Sequence, residues 1–238
     1  MKSRNSTSVL SFVLAAVLFA ATTASMAFAD SYTEALSINS VGYALSCAGC
    51  SAPFVDLTVT LISSTEASIG FTGLSNADYQ YLMGDDSQAL GINVAASSFT
   101  VTNVSSTDLA GFSPITYHGA QNVETGLDDS GDFNLILYGS GSGFSTASES
   151  ISFDVNDTGG TWTSASQVLT SAGNNEGYDA AVEVYACTLS GGSCTTSDET
   201  AHGVVDASPI PTPEPRSLFL LGGGMLAMAL MMRRSLLA

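Results

Sequence analysis

Lysine and arginine are nearly absent. The 238-residue chain has 5 of them against 22 Asp and Glu, a formal net charge of −17. The five are Lys2, Arg4, Arg216, Arg233 and Arg234, all near the two ends. From Asp30 to Ala207 there is none, yet that stretch carries every carboxylate but Glu214. Such a polyanion excludes nucleic-acid binding through phosphate contacts, which need Lys and Arg. It excludes adhesion of the body to anionic lipid for the same reason. Histidine is scarce as well, with only His118 and His202. A Ser/His/Asp hydrolase would have to use one of them, and no G-x-S-x-G elbow is present. No long helical period runs between the two ends, and no internal repeat is visible, which excludes solenoids and propellers. The 45% of hydrophobic residues nevertheless suffices for a core.

Long apolar runs occur only at the ends. Lys2 and Arg4 precede Val9–Ala21, an almost wholly apolar 13-residue run, and Ala27-Phe28-Ala29 follows. These are the three parts of a secretory signal peptide, with cleavage after Ala29 leaving Asp30 as the mature start. The run is too short for a bilayer core that needs ~20 residues. At the other end, Pro211-Thr212-Pro213-Glu214-Pro215 is stiff and extended. Ser217–Met232 is an uncharged run of 16 residues closed by Arg233-Arg234. As a helix it spans ~24 Å, short of the ~30 Å hydrocarbon core, and Gly222-Gly223-Gly224 weakens it further. The positive-inside rule keeps the two arginines cytoplasmic and places the acidic body outside.

Pro213-Glu214-Pro215, a short apolar helix and the Arg233-Arg234 pair resemble the PEP-CTERM sorting signal of Gram-negative bacteria. The resemblance covers about Pro213 to Arg234, and the apolar Ser235-Leu236-Leu237-Ala238 after the arginines departs from it. It implies processing by an exosortase, a membrane transpeptidase-like protease, in bacteria that make exopolysaccharide. The expected organisation is a signal peptide at 1–29, an acidic domain at 30–207 and a Pro-rich linker at 208–216. A short transmembrane sorting helix at 217–232 and a cytoplasmic tail at 233–238 complete it.

The middle alternates apolar and polar residues with period two. The segments are Val55–Leu61, Ala67–Phe71, Phe99–Thr102, Phe133–Tyr138, Ile151–Val155 and Ala180–Val184. Phe133, Leu135 and Leu137 fall on one face of their segment. Turn-forming Gly, Asn, Asp and Ser separate the segments. Ser164–Leu169 is expected to make one helical turn with Ser164 as its N-cap. Strands at this spacing without helices predict an all-β domain, a single jelly-roll-like β-sandwich of eight to ten strands. Its expected core is the inward-alternating residues with Trp162, Phe112 and several tyrosines. The segments Phe133–Val155 and Trp162–Cys194 also look like the body of many PEP-CTERM proteins, which tend to be β-sandwiches.

The four cysteines, Cys47, Cys50, Cys187 and Cys194, are an even set, as an oxidising compartment favours. Two local pairs, Cys47–Cys50 and Cys187–Cys194, are the favoured connectivity. Long-range pairs tying the first strands to the last are the alternative. A zinc site is disfavoured by the six-residue second spacer, and a thioredoxin-like role by the lack of a βαβ pattern around Cys47.

Candidate chemistry is sparse. Gly139-Ser140-Gly141-Ser142-Gly143 lacks a Walker lysine and a following helix, so it reads as a turn or loop. Asp128, Ser130 and Asp132 place oxygens at positions 1, 3 and 5 of an EF-hand-like loop. Phe133 then stands where the glycine belongs and Gly139 where the bidentate glutamate belongs, so this is no EF-hand. Calcium is the candidate ion for those three residues, since carboxylates without basic partners must be solvated, screened or cation-bound. Similar acid clusters occur at Asp85-Asp86, at Asp154, Asn156 and Asp157, and at Asn174-Asn175-Glu176 with Asp179. No cofactor is otherwise implied.

The sequence therefore points to an exported, non-enzymatic protein. It would be membrane-tethered before processing, then sit at the cell surface or in the extracellular matrix. Exosortase, the secretion machinery and exopolysaccharide are the expected partners, with membrane contact only through the sorting helix. A calcium-assisted carbohydrate-binding module or adhesin is the alternative, with Tyr117, Tyr138 and Tyr178 available to stack on sugar rings. A polysaccharide hydrolase is a third reading, which requires two close carboxylates in a cleft.

Overall fold

A computed structural model describes residues 30–39, 44–76, 78–84, 88–110, 117–127, 132–139, 143–171 and 178–207. The expected leader, Pro-rich linker, sorting helix and tail lie outside the described residues, as does Phe112. Among the described residues no helix is long and apolar enough to cross a membrane.

The domain is all-β. Among the described residues twelve strands run in chain order: β1 (Asp30–Leu36), β2 (Ile38–Asn39), β3 (Val55–Ser63), β4 (Glu66–Gly73), β5 (Tyr79–Met83) and β6 (Leu90–Ile92), then β7 (Phe99–Asp108), β8 (Tyr117–Gly126), β9 (Asp132–Gly139), β10 (Ser148–Asp157), β11 (Ala180–Thr188) and β12 (Glu199–Asp206). They form one connected ladder, β1-β3-β4-β10-β5-β11-β6-β9-β8. β7 also pairs with β10, while β12 pairs with β11 and β2. The registered pairs are antiparallel.

The ladder turns a corner where β10 meets β5 through the single pair Ser148↔Met83. On one side lie β1, β3, β4, β10 and β7. On the other lie β11 with β12 on one edge and β5 and β6 sharing the other, followed by β9 and β8. The main apolar cluster takes residues from both groups. Leu57, Ile69, Phe71 and Phe153 come from the first, and Leu90, Leu135, Val182 and Val184 from the second. The arrangement is sandwich-like, and period-two alternation is its cause, since successive side chains of a strand point to opposite faces. In β4 every second residue is buried, and its neighbour β3 alternates in register with it. Full burial of a side chain such as Phe153 or Ile69 is worth about 1.5–3 kcal/mol.

All six alternating segments are strands, and six further strands were not legible in the sequence. The expected count of eight to ten is therefore low. Several of the extra strands are short or carry no clean alternation, such as β6 (LGI) and β12 (ETAHGVVD). Two local expectations need correction. Residues 165–167 form a 3₁₀ turn, and Ser164 makes no side-chain cap; its hydroxyl pairs with Ser166 Oγ at 3.0 Å instead. Phe133 does not share a cluster with Leu135 and Leu137. It packs with Ile136, Ala181 and Val204 instead.

Trp162 is buried as expected, and its indole Nε1 donates to the Ala95 carbonyl at 3.0 Å. β7 has a bulge between its pairs with Ser152 and Asp154, and Asn103 within it has φ 54°. Asn is among the few non-glycine residues that tolerate this region. A bulge there twists the strand and opposes edge-to-edge association.

Candidate functional site

Both cysteine pairs are local. Cys47 and Cys50 are at disulfide distance, with Cα atoms 5.4 Å apart, as are Cys187 and Cys194, at 5.9 Å. No free cysteine remains. The second bridge lies at the base of the β11–β12 connection. Within it Ser190 and Ser193 exchange backbone hydrogen bonds across Gly191 and Gly192, whose φ values are 65° and 84°. Two consecutive positive φ angles define a type I′ turn, which explains two glycines there. The Cys47–Cys50 turn is held by tyrosines of β5. Tyr79 Oη donates to the Ala48 carbonyl at 2.6 Å, and Tyr81 Oη accepts from the Ser51 amide at 3.0 Å.

Of the three calcium candidates, Asp128 and Ser130 lie outside the described residues. Asp132 opens β9 and is exposed. Its carbonyl accepts a hydrogen bond from Asn93 Nδ2 at 3.2 Å. Asn93 also donates its backbone amide to the Asp179 carbonyl at 3.1 Å and accepts the Asn134 amide at 3.0 Å. Asn134 reciprocates with Val94 through both its side-chain oxygen and nitrogen, each at 2.8 Å. This amide ladder links the backbones of Asp132 and Asp179; the connections at residues 128–131 and 172–177 are themselves outside the described residues. Among the described residues no group of three His, Cys, Asp or Glu side chains is placed to hold a metal ion.

The Asp154, Asn156 and Asp157 cluster is dispersed by the strand that carries it. Asp154 accepts from Asn103 Nδ2 at 2.7 Å, and Asn156 donates to Thr102 Oγ1 at 3.4 Å on the outer face. Asp157 is buried and accepts the amides of Gly159 and Gly160, both at 2.8 Å, closing the turn after β10. Other acids behave similarly: Asp108 accepts from Ser148 Oγ, Asp198 from Thr195 and Glu149 from Gln80. Amides and hydroxyls stand in for the missing lysines and arginines.

A different acidic group lies inside. Tyr32 and Glu34 of β1 point to the same side as fully buried Leu36, while Thr33 points outward and pairs with Thr58 Oγ1 at 3.1 Å. Glu34 Oε2 and Tyr32 Oη are buried and have no hydrogen-bond partner among the described residues. Burial raises the Glu34 carboxyl to about 7, and the nearby Asp179 carboxylate adds to the effect. Burial, then Glu34, then Asp179 push the Tyr32 hydroxyl well above its ordinary range. A raised carboxyl beside another carboxylate is the electrostatic signature of a general acid. Here, however, Glu34 Oε2 and Tyr32 Oη are shielded from solvent. The sequence reading missed Tyr32 and Glu34, although the Tyr-x-Glu-x-Leu alternation at the expected mature start was visible. Glu183 was also misjudged: it falls on the polar side of its alternation yet is buried, because the outer face of β11 is covered.

His202 lies 3.4 Å from Glu199 and its ring rests on Tyr185, with centroids 5.5 Å apart. Tyr138 packs on the Phe133 cluster, and Tyr178 is half-buried next to Asp179. The side chains of Tyr117 and His118 are outside the described residues. No family of known proteins, no curated protein and no solved structure matches the chain.

Proposed function

We propose that this chain is an exported, non-enzymatic protein of the cell surface or extracellular matrix, sorted and processed through a C-terminal signal of the PEP-CTERM type. The observation that carries this reading is the body itself: all four of its cysteines are paired, as suits an oxidising compartment. That body lies between a leader-like and a tail-like apolar segment and holds no Lys or Arg. Its sandwich is of the jelly-roll kind. Pro213, Glu214, Pro215, Arg233 and Arg234 form the sorting signal, and Ala27 and Ala29 the leader cleavage site. Exosortase and the secretion machinery act on the ends, and exopolysaccharide is the surrounding partner. The test is fractionation of a Gram-negative host with and without its exosortase. The chain should leave the membrane in the first host and accumulate there in the second. Changing Pro213, Glu214 and Pro215 to Ala should reproduce the second pattern in the first host. Equal distribution in both hosts contradicts the reading.

The Asn93 junction favours a second reading, a calcium-assisted carbohydrate module, because it links the backbones of Asp132 and Asp179, which border two of the acid clusters of the sequence. Asp128, Ser130 and Asp132 would supply the oxygen ligands. A glycan array with and without EDTA tests it: chelator-sensitive binding to a defined glycan supports a lectin, and none leaves the first reading.

A further inference from the structure

We propose that β1 is a proton-dependent clasp, seated against the core while Glu34 is neutral and loosened when Glu34 loses its proton. The inference rests on the domain's geometry and is independent of how the chain is sorted.

Among the described residues β1 ends the ladder with β3 as its neighbour, so lifting it breaks that row of ladder hydrogen bonds. Its core-facing side carries Asp30, Tyr32, Glu34 and Leu36 in alternation. Leu36 belongs to the main core and Tyr32 packs against it. Between these two, Glu34 buries Oε2 without a hydrogen-bond partner among the described residues, and the same holds for the neighbouring Tyr32 Oη. An unpaired carboxylate there is costly, whereas a neutral carboxyl is tolerated.

Among the described residues, the groups around it offer no compensating charge. From the segment before β11 comes Asp179, a carboxylate. From β3 the inward residues are Val55, Leu57 and Val59, and Asp56 alternates to the outer face. On β12, Asp206 follows inward Val205 and therefore points to the opposite face. On β1 itself are Asp30 and the neutral Tyr32. His202 is engaged with Glu199 and Tyr185. No Lys or Arg occurs between Asp30 and Ala207.

Glu34 accordingly titrates near 7 when β1 is seated, above its ordinary 4.5. A carboxyl raised in the folded state contributes its full share of stability below the ordinary value and loses it as pH rises towards 7. β1 is thus tightest in mild acid and loosest above neutrality. Tyr32, shifted upward as well, stays neutral throughout.

The test is hydrogen exchange of the full chain at pH 5.5 and 8.5, corrected for intrinsic rates and read on peptides covering residues 30–37, with β10 as internal reference. Relative to β10, β1 should exchange about tenfold faster at pH 8.5, since one pKa unit is a tenfold ratio and Glu34 is only half-buried. Glu34→Gln should remove this difference by keeping β1 protected at pH 8.5. Asp179→Asn should reduce it in part, a second measurement that stands if the first variant does not fold. Equal β1 protection at both pH values in the unaltered chain overturns the proposal. So does a loss at pH 8.5 that persists unchanged in Glu34→Gln or in Asp179→Asn.

Discussion

β10 and β11 are strands of nearly equal length, 10 and 9 residues, with opposite habits of burial. β10 buries Ile151, Phe153 and Val155 and turns Ser150, Ser152, Asp154 and Asn156 outward. In β11 the first eight residues are all buried. Its even side joins the main core, while Ala181 packs on Leu127, Phe133, Ile136 and Val204, and Tyr185 and Cys187 on Leu82, Phe144 and Cys194. The difference is one of cover. The outer face of β10 meets solvent, as one side of an antiparallel sheet commonly does, and that of β11 lies under two further apolar clusters. Large residues on one side and hydroxyls on the other suit the first strand. The second has little room on either side, and it carries three alanines, Ala180, Ala181 and Ala186, all buried.

The contrast gives a graded set of substitutions. Phe153→Ala on the buried side of β10 should cost about 3–5 kcal/mol in chemical denaturation, the largest effect expected. Opening the buried Cys187–Cys194 bridge by a double change to Ser should cost about 2–3 kcal/mol on the loop-closure scale, plus any loss of packing in its cluster. Ala181→Leu should cost about 1–3 kcal/mol through overpacking against Phe133 and Ile136. Opening Cys47–Cys50 should cost about 2 kcal/mol or less, because its loop is shorter and Tyr79 and Tyr81 hold the turn independently. Ser152→Leu, on the outer face of β10, should stay within about 0.5 kcal/mol. If Ala181→Leu is as mild as Ser152→Leu, the second face of β11 is not closely covered and the comparison fails.

The same contrast explains what the sequence could disclose. Alternation marks strands with one wet face, so β3, β4 and β10 were legible to within a few residues. It is silent for β5, β6 and β12, where both faces are partly covered or the strand is too short to show a period. That Phe133 packs in a different cluster from Leu135 shows only once the packed strands are seen. The local cysteine pairs were legible because their spacers suit tight turns. The Asp154, Asn156 and Asp157 cluster was misleading because Asp157 faces the opposite way from Asp154 and Asn156. Glu34 was hidden by its type: an acid at an inward position reads as polar, and only the fold brings Asp179 to it.

Charge supplies the mildest expectation. Folding gathers carboxylates that have no basic partners, so sodium chloride should raise the melting temperature through screening, with a Debye length of ~8 Å at 0.15 M and ~3 Å at 1 M. Calcium at fixed ionic strength should do no better unless the Asp128 loop binds it. Saturation by calcium that is lost on Asp132→Asn would then move the functional reading towards the carbohydrate module.

The central claim is that an oxidised, Lys- and Arg-free body is exported and trimmed at both ends. Intact mass of the secreted protein from an exosortase-positive Gram-negative host tests it most directly. The mass should correspond to a chain beginning at Asp30, lacking the apolar segment 217–232, and four hydrogens lighter than its reduced form for the two bridges. A mass that retains Met1 or the C-terminal arginines, or one unchanged by reduction, would contradict it.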